Sequence, residues 1–216
     1  MADAVKATRR YDSSRRREQA GATRLEILQA AQRRFERDGF SATTMAAIAA
    51  EARVATKTVY LAFETKSGVL RALWNLLLRG DEDDVPMQER RWYRAILEEP
   101  NAERQLRLMA HNSRVVKLRA GRLLKVIRDA ASADPDIAVL WDRIGSQFYA
   151  HQRGLVEVMH ERGALRPDLD VTAATDRLWT LNHPDLWHLL VGERGWTAED
   201  YEQWCADAAC AQLLGQ

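Results

Sequence analysis

Between residues 39 and 70 the chain reads GFSATTMAAIAAEARVATKTVYLAFETKSGVL, and this stretch gathers side chains suited to recognition chemistry. Ala55, Thr56, Lys57, Thr58 and Tyr60 fall on or beside one short predicted helix. Threonine hydroxyls and a lysine ammonium can bond base edges or phosphates, and an alanine methyl can touch the methyl of thymine. Tyr60 and Lys66 flank the helix with a hydroxyl and an ammonium suited to clamping a sugar-phosphate backbone. Thr44 opens the preceding helix, whose free amides and positive dipole end suit a phosphate. Arg53, in the turn between the two helices, adds a further candidate phosphate contact.

Catalytic chemistry has no comparable foundation. No serine, cysteine or histidine constellation is arranged for nucleophilic attack. Of the five histidines, His183 and His188 are five residues apart and lie off a shared helix face, so no metal-ligand pair forms. The acidic run 81–84 invites a magnesium reading, since clustered carboxylates bind that ion. An all-helical enzyme of the prenyl-diphosphate lyase type would need a second facing motif, and none is found. A solvated linker is preferred, and the expectation is a non-enzymatic protein with no cofactor and no metal.

The elements that must position the 39–70 residues read as helices. Thr23-Arg24-Leu25-Glu26 is a capping-box sequence that starts a first helix, in which Leu28, Ala31 and Phe35 share one face. Gly39 suits the left-handed residue that ends it. A short helix follows Thr43 and carries Ile48 and Ala49 on its apolar side. Ala52, Arg53 and Val54 make a tight turn. A second short helix spans about 55–61 and returns Val59 and Phe63 to the core, with small Ala49 and Ala52 allowing a close crossing. That is the layout of a helix-turn-helix, whose second helix enters a major groove. A longer helix follows Thr65 to about Arg79.

Charge divides unevenly along the chain. Residues 1–70 hold 13 Lys and Arg against 8 Asp and Glu, whereas the remainder holds 19 against 23, so a basic front meets an acidic rear. A basic unit of this kind suits a polyanion. Residues 1–21, with Arg9, Arg10, Arg15, Arg16 and Arg17 among Ser, Asp and Ala, are predicted to be a disordered basic arm. No signal-peptide pattern and no long apolar stretch is present, which predicts a cytoplasmic protein without membrane contact. Cys205 and Cys210 fit neither a disulfide framework nor a metal set and are predicted to be free thiols, buried or half-buried.

The matching positions Gly39, Phe40, Thr43, Thr44, Ile48, Ala49, Ala52, Val54, Thr58, Val59, Tyr60, Phe63, Lys66 and Leu70 together resemble the TetR family of transcriptional regulators. The resemblance covers about residues 25–72. One departure is Arg53, where members usually carry glycine in the turn. If that backbone is left-handed, a non-glycine residue there costs on the order of 1 kcal/mol.

The predicted fold is all-α. A disordered arm (1–21) precedes a three-helix DNA-binding head (22–70, its connecting helix reaching about 80). A larger helical regulatory and dimerisation body (81–216) follows. Helix starts in the body are read at Asn101, at Asp134 with Pro135 in first position, at Asp170 and at the Thr197 capping box. The resemblance implies a homodimer on a palindromic operator, repression, and an unidentified small-molecule effector. It places the dimer interface on the last two helices, about 171–191 and 197–214. Leu178, Leu181, Leu189, Leu190, Trp204, Ala208 and Leu213 could supply its apolar surface, or face their own core instead. Candidate effector-lining residues are Trp74, Met109, His111, Asn112, Trp141, Phe148, His151, Trp179 and His183, with ordinary core packing as the alternative for each. Asn182-His183-Pro184-Asp185 is predicted to kink the helix that contains it. Two other readings stay open: an all-helical enzyme, and a sensor whose head docks a protein in place of DNA.

Overall fold

The computed structural model describes residues 2–79 and 90–215. Among them the backbone is helical almost throughout, and the only extended pairing is an isolated bridge between Leu165 and Leu214. No described helix is long and apolar enough to cross a membrane. The chain divides into two compact units, Met1–Asn75 and Leu76–Gln216, with the boundary inside the fourth helix. The acidic run 81–84 and Pro86, read as a linker, lie outside the described residues.

The first unit holds α1 (Ala2–Ala42), α2 (Met45–Glu51), α3 (Thr56–Phe63) and the start of α4 (Lys66–Arg79). One expectation is corrected at once: the backbone is already helical from Ala2, so the arm expected to be disordered continues α1, and Thr23 lies inside a helix instead of capping one. Its large apolar residues are few, but helix propensity does not require burial. Residues 2–22 are rich in Ala and Arg, and only Gly21 opposes the helix strongly. Extending an existing packed helix also avoids the cost of a new nucleus.

Helical geometry stops at Gly39, whose φ of 77° and ψ of 170° lie in a region open essentially to glycine alone. The chain then turns tightly, with Thr43 Oγ1 donating to the Gly39 carbonyl at 2.7 Å. Phe35 and Phe40 stack across the turn at 5.8 Å between ring centroids. Ile27, Leu28, Ala31, Phe35, Ile48, Val59 and Leu70 are buried and make the core of this unit.

The second unit holds α5 (Arg91–Glu98), α6 (Ala102–Ala131), α7 (Pro135–Glu161), α8 (Val171–Leu181), α9 (Pro184–Trp187) and α10 (Ala198–Leu213). A π-helical turn, His188–Glu193, comes directly after α9. The caps are those the sequence suggests. Asn101 Oδ1 accepts from the Arg104 amide at 2.9 Å and Asp170 Oδ1 from the Ala173 amide at 2.7 Å. Asp134 caps α7 ahead of Pro135, and Thr197 with Asp200 forms a reciprocal capping box. The apolar faces of α6, α7, α8 and α10 meet around Leu106, Met109, Leu155, Met159, Leu178 and Leu213.

The helix expected over 171–191 does not merely bend. It ends at Leu181, and the chain restarts at Pro184 in a single turn before the π-helical stretch. Proline disfavours a helical residue before it, and His183 is accordingly extended at φ −64° and ψ 138°. Its Nδ1 accepts from the Asp185 amide at 3.2 Å, a cap that no proline-kinked continuous helix would need.

Candidate nucleic-acid interface

α3 projects from a base fixed on three sides. Val59 and Phe63 are buried beneath it, against a unit core that includes Ile48 and Ala49 of α2. From α1, Arg24 donates to the Ala62 carbonyl at 2.9 Å and lays its guanidinium 4.2 Å from the centre of the Phe63 ring. Between α1 and α2, Glu51 accepts from Arg33 at 2.7 Å and pairs with Arg34 at 2.5 Å. The Arg33 and Arg34 guanidiniums hold the Glu51 carboxyl below the usual range, against the opposing effect of its burial. Beyond Phe63 the chain leaves α3 through a γ-turn: Glu64 has φ 63° and ψ −52°, and the Thr65 amide donates to the Phe63 carbonyl at 2.6 Å.

With the base fixed, the outer face is open. Ala55, Thr56, Lys57 and Tyr60 are exposed, Tyr60 at 50%, and Thr58 is half-buried. Leu61 is 77% exposed on the same side as Lys57, one helical turn on. Sequence reasoning passed over Leu61 because leucine is normally assigned to a core. The signal was present, since Val59 and Phe63 already fill the buried positions and leave 61 facing outward.

Thr44 caps α2, its Oγ1 accepting from the Ala47 amide at 3.0 Å. One of the free amides expected to hold a phosphate is thereby satisfied internally. Lys66 also has an internal role that the sequence did not reveal. Its ammonium donates to the Phe40 carbonyl at 2.7 Å and to the Ser41 carbonyl at 3.4 Å, and sits 4.2 Å from the centre of the Phe40 ring. It therefore ties the start of α4 to the end of α1.

Arg53 is exposed and left-handed, with φ of 57°. The turn has the geometry that glycine would relieve. Arg53→Gly is expected to stabilise the protein by about 1 kcal/mol, raising the thermal midpoint by roughly 2–4 °C. A lower midpoint in a thermal melt would show that the guanidinium contributes more than the backbone strain removes.

The residues considered for an effector lie in several different surroundings. Trp74 is buried in the first unit, and Met109 is buried in the core of the second, where its sulfur accepts from Asn182 Nδ2 at 3.3 Å. His111 is on the surface, paired with Glu202 at 3.1 Å. Asn112 and Phe148 are half-buried. His151 packs edge-on to Tyr93, and burial lowers its pKa; Trp179 packs edge-on to His183. Trp141 lines a cleft, shared with Gly121, Leu124, Pro184 and the paired Arg128 and Asp185. Of the residues considered for a dimer surface, Leu178 and Leu213 are corrected to core, each 0% exposed. They lie on the sides of α8 and α10 that face α6 and α7. Leu181, Leu190, Trp204 and Ala208 are half-buried, and Leu189 is 45% exposed. Cys205 is buried and Cys210 half-buried, both as free thiols.

Residues 27–73 match the family model for bacterial regulatory proteins of the tetR family. No curated protein matches the chain. Among solved structures, a TetR transcription regulator from Haloarcula marismortui superposes with a TM-score of 0.67 at 20% identity, over 89% of this chain and 99% of that one. NalD, the secondary repressor of the MexAB-OprM multidrug efflux pump in Pseudomonas aeruginosa, gives 0.69 at 19% identity, over 91% and 98%. SmeT, the repressor of the Stenotrophomonas maltophilia multidrug efflux pump SmeDEF, gives 0.67 at 19% identity, over 89% and 91%. At these identities the structures share the fold, and the family model marks residues 27–73 as the TetR-type head. The chain is a DNA-binding transcriptional regulator with a TetR-family head.

Proposed function

We propose that the protein is a dimeric repressor of a palindromic operator, released by a small-molecule effector acting on its helical body. The observation that carries this reading is the open face of α3, where Thr56, Lys57, Tyr60 and Leu61 are exposed on a helix whose base is fixed by Val59, Phe63 and Arg24. Such a helix enters a major groove with its polar residues toward base edges and phosphates. Leu61 adds an apolar surface suited to a thymine methyl. Ala55, Thr58 and Arg53 border the same face, and Lys66 and Thr44 lie at its margins.

A reader of eight residues reaches only a few base pairs, and each good base contact discriminates by roughly 1–3 kcal/mol. Two copies on a two-fold axis supply the missing specificity. Exposed Leu189 and the half-buried Leu190, Trp204 and Ala208 offer apolar surface for the partner copy. Similarity to two efflux-pump repressors supports repression as the mode of action. The effector must bind the DNA-incompetent arrangement more tightly, or it shifts nothing. The cleft at Trp141 and Pro184 is the candidate entry for it, next to the break between α8 and α9.

Variants on the open face test the reader. Lys57→Ala should weaken binding to all duplexes alike and reduce the log-log salt slope by about 0.9 for each phosphate it no longer neutralises. Leu61→Ser should instead alter base preference at one position per half-site. If both variants bind every duplex as the parent does, α3 is not the reading helix.

A further inference from the structure

Lys117 is buried in the middle of α6, and its three N–H donors are all engaged. They reach the Asn182 carbonyl at 2.9 Å, Asn182 Oδ1 at 2.8 Å and the Tyr201 hydroxyl at 2.9 Å. Asn182 is the residue on which α8 ends, and it is itself only 2% exposed. Ser113 donates to the same Oδ1 at 2.5 Å, and Tyr201 donates to the Leu181 carbonyl at 3.3 Å. One buried ammonium thus organises the end of α8, the face of α6 and the start of α10. Among the described residues no carboxylate pairs with it.

The segment after Asn182 is held loosely by comparison. Neither α9 nor the π-helical turn contributes a buried residue. They are held by the Arg128–Asp185 ion pair, by Trp187, whose ring meets Tyr201 edge-on at 5.0 Å and lies against Gly121, and by the partly buried Leu186, Leu190 and Val191, which pack against Ala110, Tyr201, Cys205 and Ala206. π-Helical turns are rare and concentrate at functional sites, and segments with little buried area open at low cost.

We propose that Lys117 is the pin of a proton-controlled hinge, holding the 183–193 segment docked on α6 and α10 and letting it open when the buried ammonium must be hydrated. Burial without a counter-charge drives the Lys117 pKa down to about 7 in the docked state, from 10.5 in water. The surrounding groups do not replace it as the titrating site. On α10, burial raises the Tyr201 phenol and the Cys205 thiol, so both stay protonated at neutral pH. After α8, burial lowers His183 while Asp185 opposes that shift, and Asp185 is itself paired with Arg128. On α6, Arg114 is paired with Glu199 and Glu202 of α10.

Proton binding sets the direction. The open state binds the proton more tightly, so opening is most favourable, and independent of pH, below about 7. Above that, the opening constant falls about tenfold per pH unit until the open-state pKa is reached. The neutral amine stays satisfied in the docked state, its two N–H groups donating to Asn182 and its lone pair accepting from the Tyr201 O–H, which turns to it from the Leu181 carbonyl. Opening would move Leu189 and Leu190, so acidification would act on the dimer; that consequence rests on the proposed function, whereas the hinge does not.

Amide hydrogen exchange on the full protein, without DNA or effector, reads the hinge alone. After correction for intrinsic exchange, protection over 186–193 should rise about 50-fold between pH 7 and 9. The rise should vanish in Lys117→Met. It should vanish also in Asn182→Asp, where a carboxylate 2.8 Å from the ammonium keeps it charged and docked, with protection high at both pH values. Flat protection in the parent protein overturns the proposal, as does an unchanged rise in either variant. If Lys117→Met does not fold, Asn182→Asp decides alone.

Discussion

Lys66→Ala is expected to weaken operator binding roughly tenfold and, unlike a purely contacting residue, to destabilise the first unit by about 2 kcal/mol. The two effects share a cause. The ammonium bonds the Phe40 and Ser41 carbonyls where α1 ends, beside the glycine-dependent turn at Gly39. Carbonyls at the end of a helix lack intrahelical donors, and a cation there also complements the helix dipole. Removing it frees α4 from α1 and loosens the frame on which α3 stands. Lys57→Ala is the matching control, because Lys57 is exposed on α3 and its removal should lower affinity with an unchanged melting midpoint. Thermal melts and binding isotherms on both variants separate the roles. Equal midpoints for Lys66→Ala and the parent would reduce Lys66 to a surface charge.

In the body, Asn182→Ala should destabilise the protein by about 3 kcal/mol, a fall in the melting midpoint of roughly 6–12 °C. The side chain removed accepts from both Lys117 and Ser113 and donates to the Met109 sulfur. Its removal leaves a buried ammonium one acceptor short, and charged groups are the most costly to leave unsatisfied. At pH 7 and below, where that lysine is half or fully charged, the penalty is greatest; it shrinks as pH rises and the docked amine loses its proton. Denaturant unfolding at pH 6 and pH 9 checks both the size and the direction. A penalty that is the same at the two values would mean that the ammonium is hydrated in the native protein.

The reader was legible in the sequence because its constraints are local. Ile48, Ala49, Val59 and Phe63 announce the buried sides of α2 and α3 by spacing alone, and the exposed positions emerge by difference. Gly39 and Arg53 mark turns whose positive φ values the structure bears out. Caps at Asn101, Asp134, Asp170 and Thr197 are likewise a matter of a few adjacent residues. The features that escaped depend on partners distant in the chain. Lys66 read as a clamp for the sugar-phosphate backbone, and its internal role stayed hidden because its acceptors lie 25 and 26 residues earlier. Lys117 drew no attention, since only the folded body brings Asn182 and Tyr201 to it across 65 and 84 residues.

The body shows the same limit in another form. An apolar stripe on α8 or α10 looks alike whether it faces its own core or a second copy, and Leu178 and Leu213 proved to be core while Leu189 is exposed. The aromatics offered as a pocket carry the same ambiguity, as large rings serve packing and binding equally well. The helix expected over 171–191 failed at a point the sequence did mark. Pro184 requires an extended residue before it, and Asn182 and His183 supply the polar groups that let the helix stop.

Selection of bound duplexes from a randomised pool at moderate salt tests the central claim most directly. A dimeric reader built on α3 should recover a palindrome of two short half-sites, their centres one helical turn or a multiple of it apart. Recovery of no preferred sequence, with binding that merely fades as salt rises, would contradict it and leave the basic front of the chain as a non-specific polyanion surface.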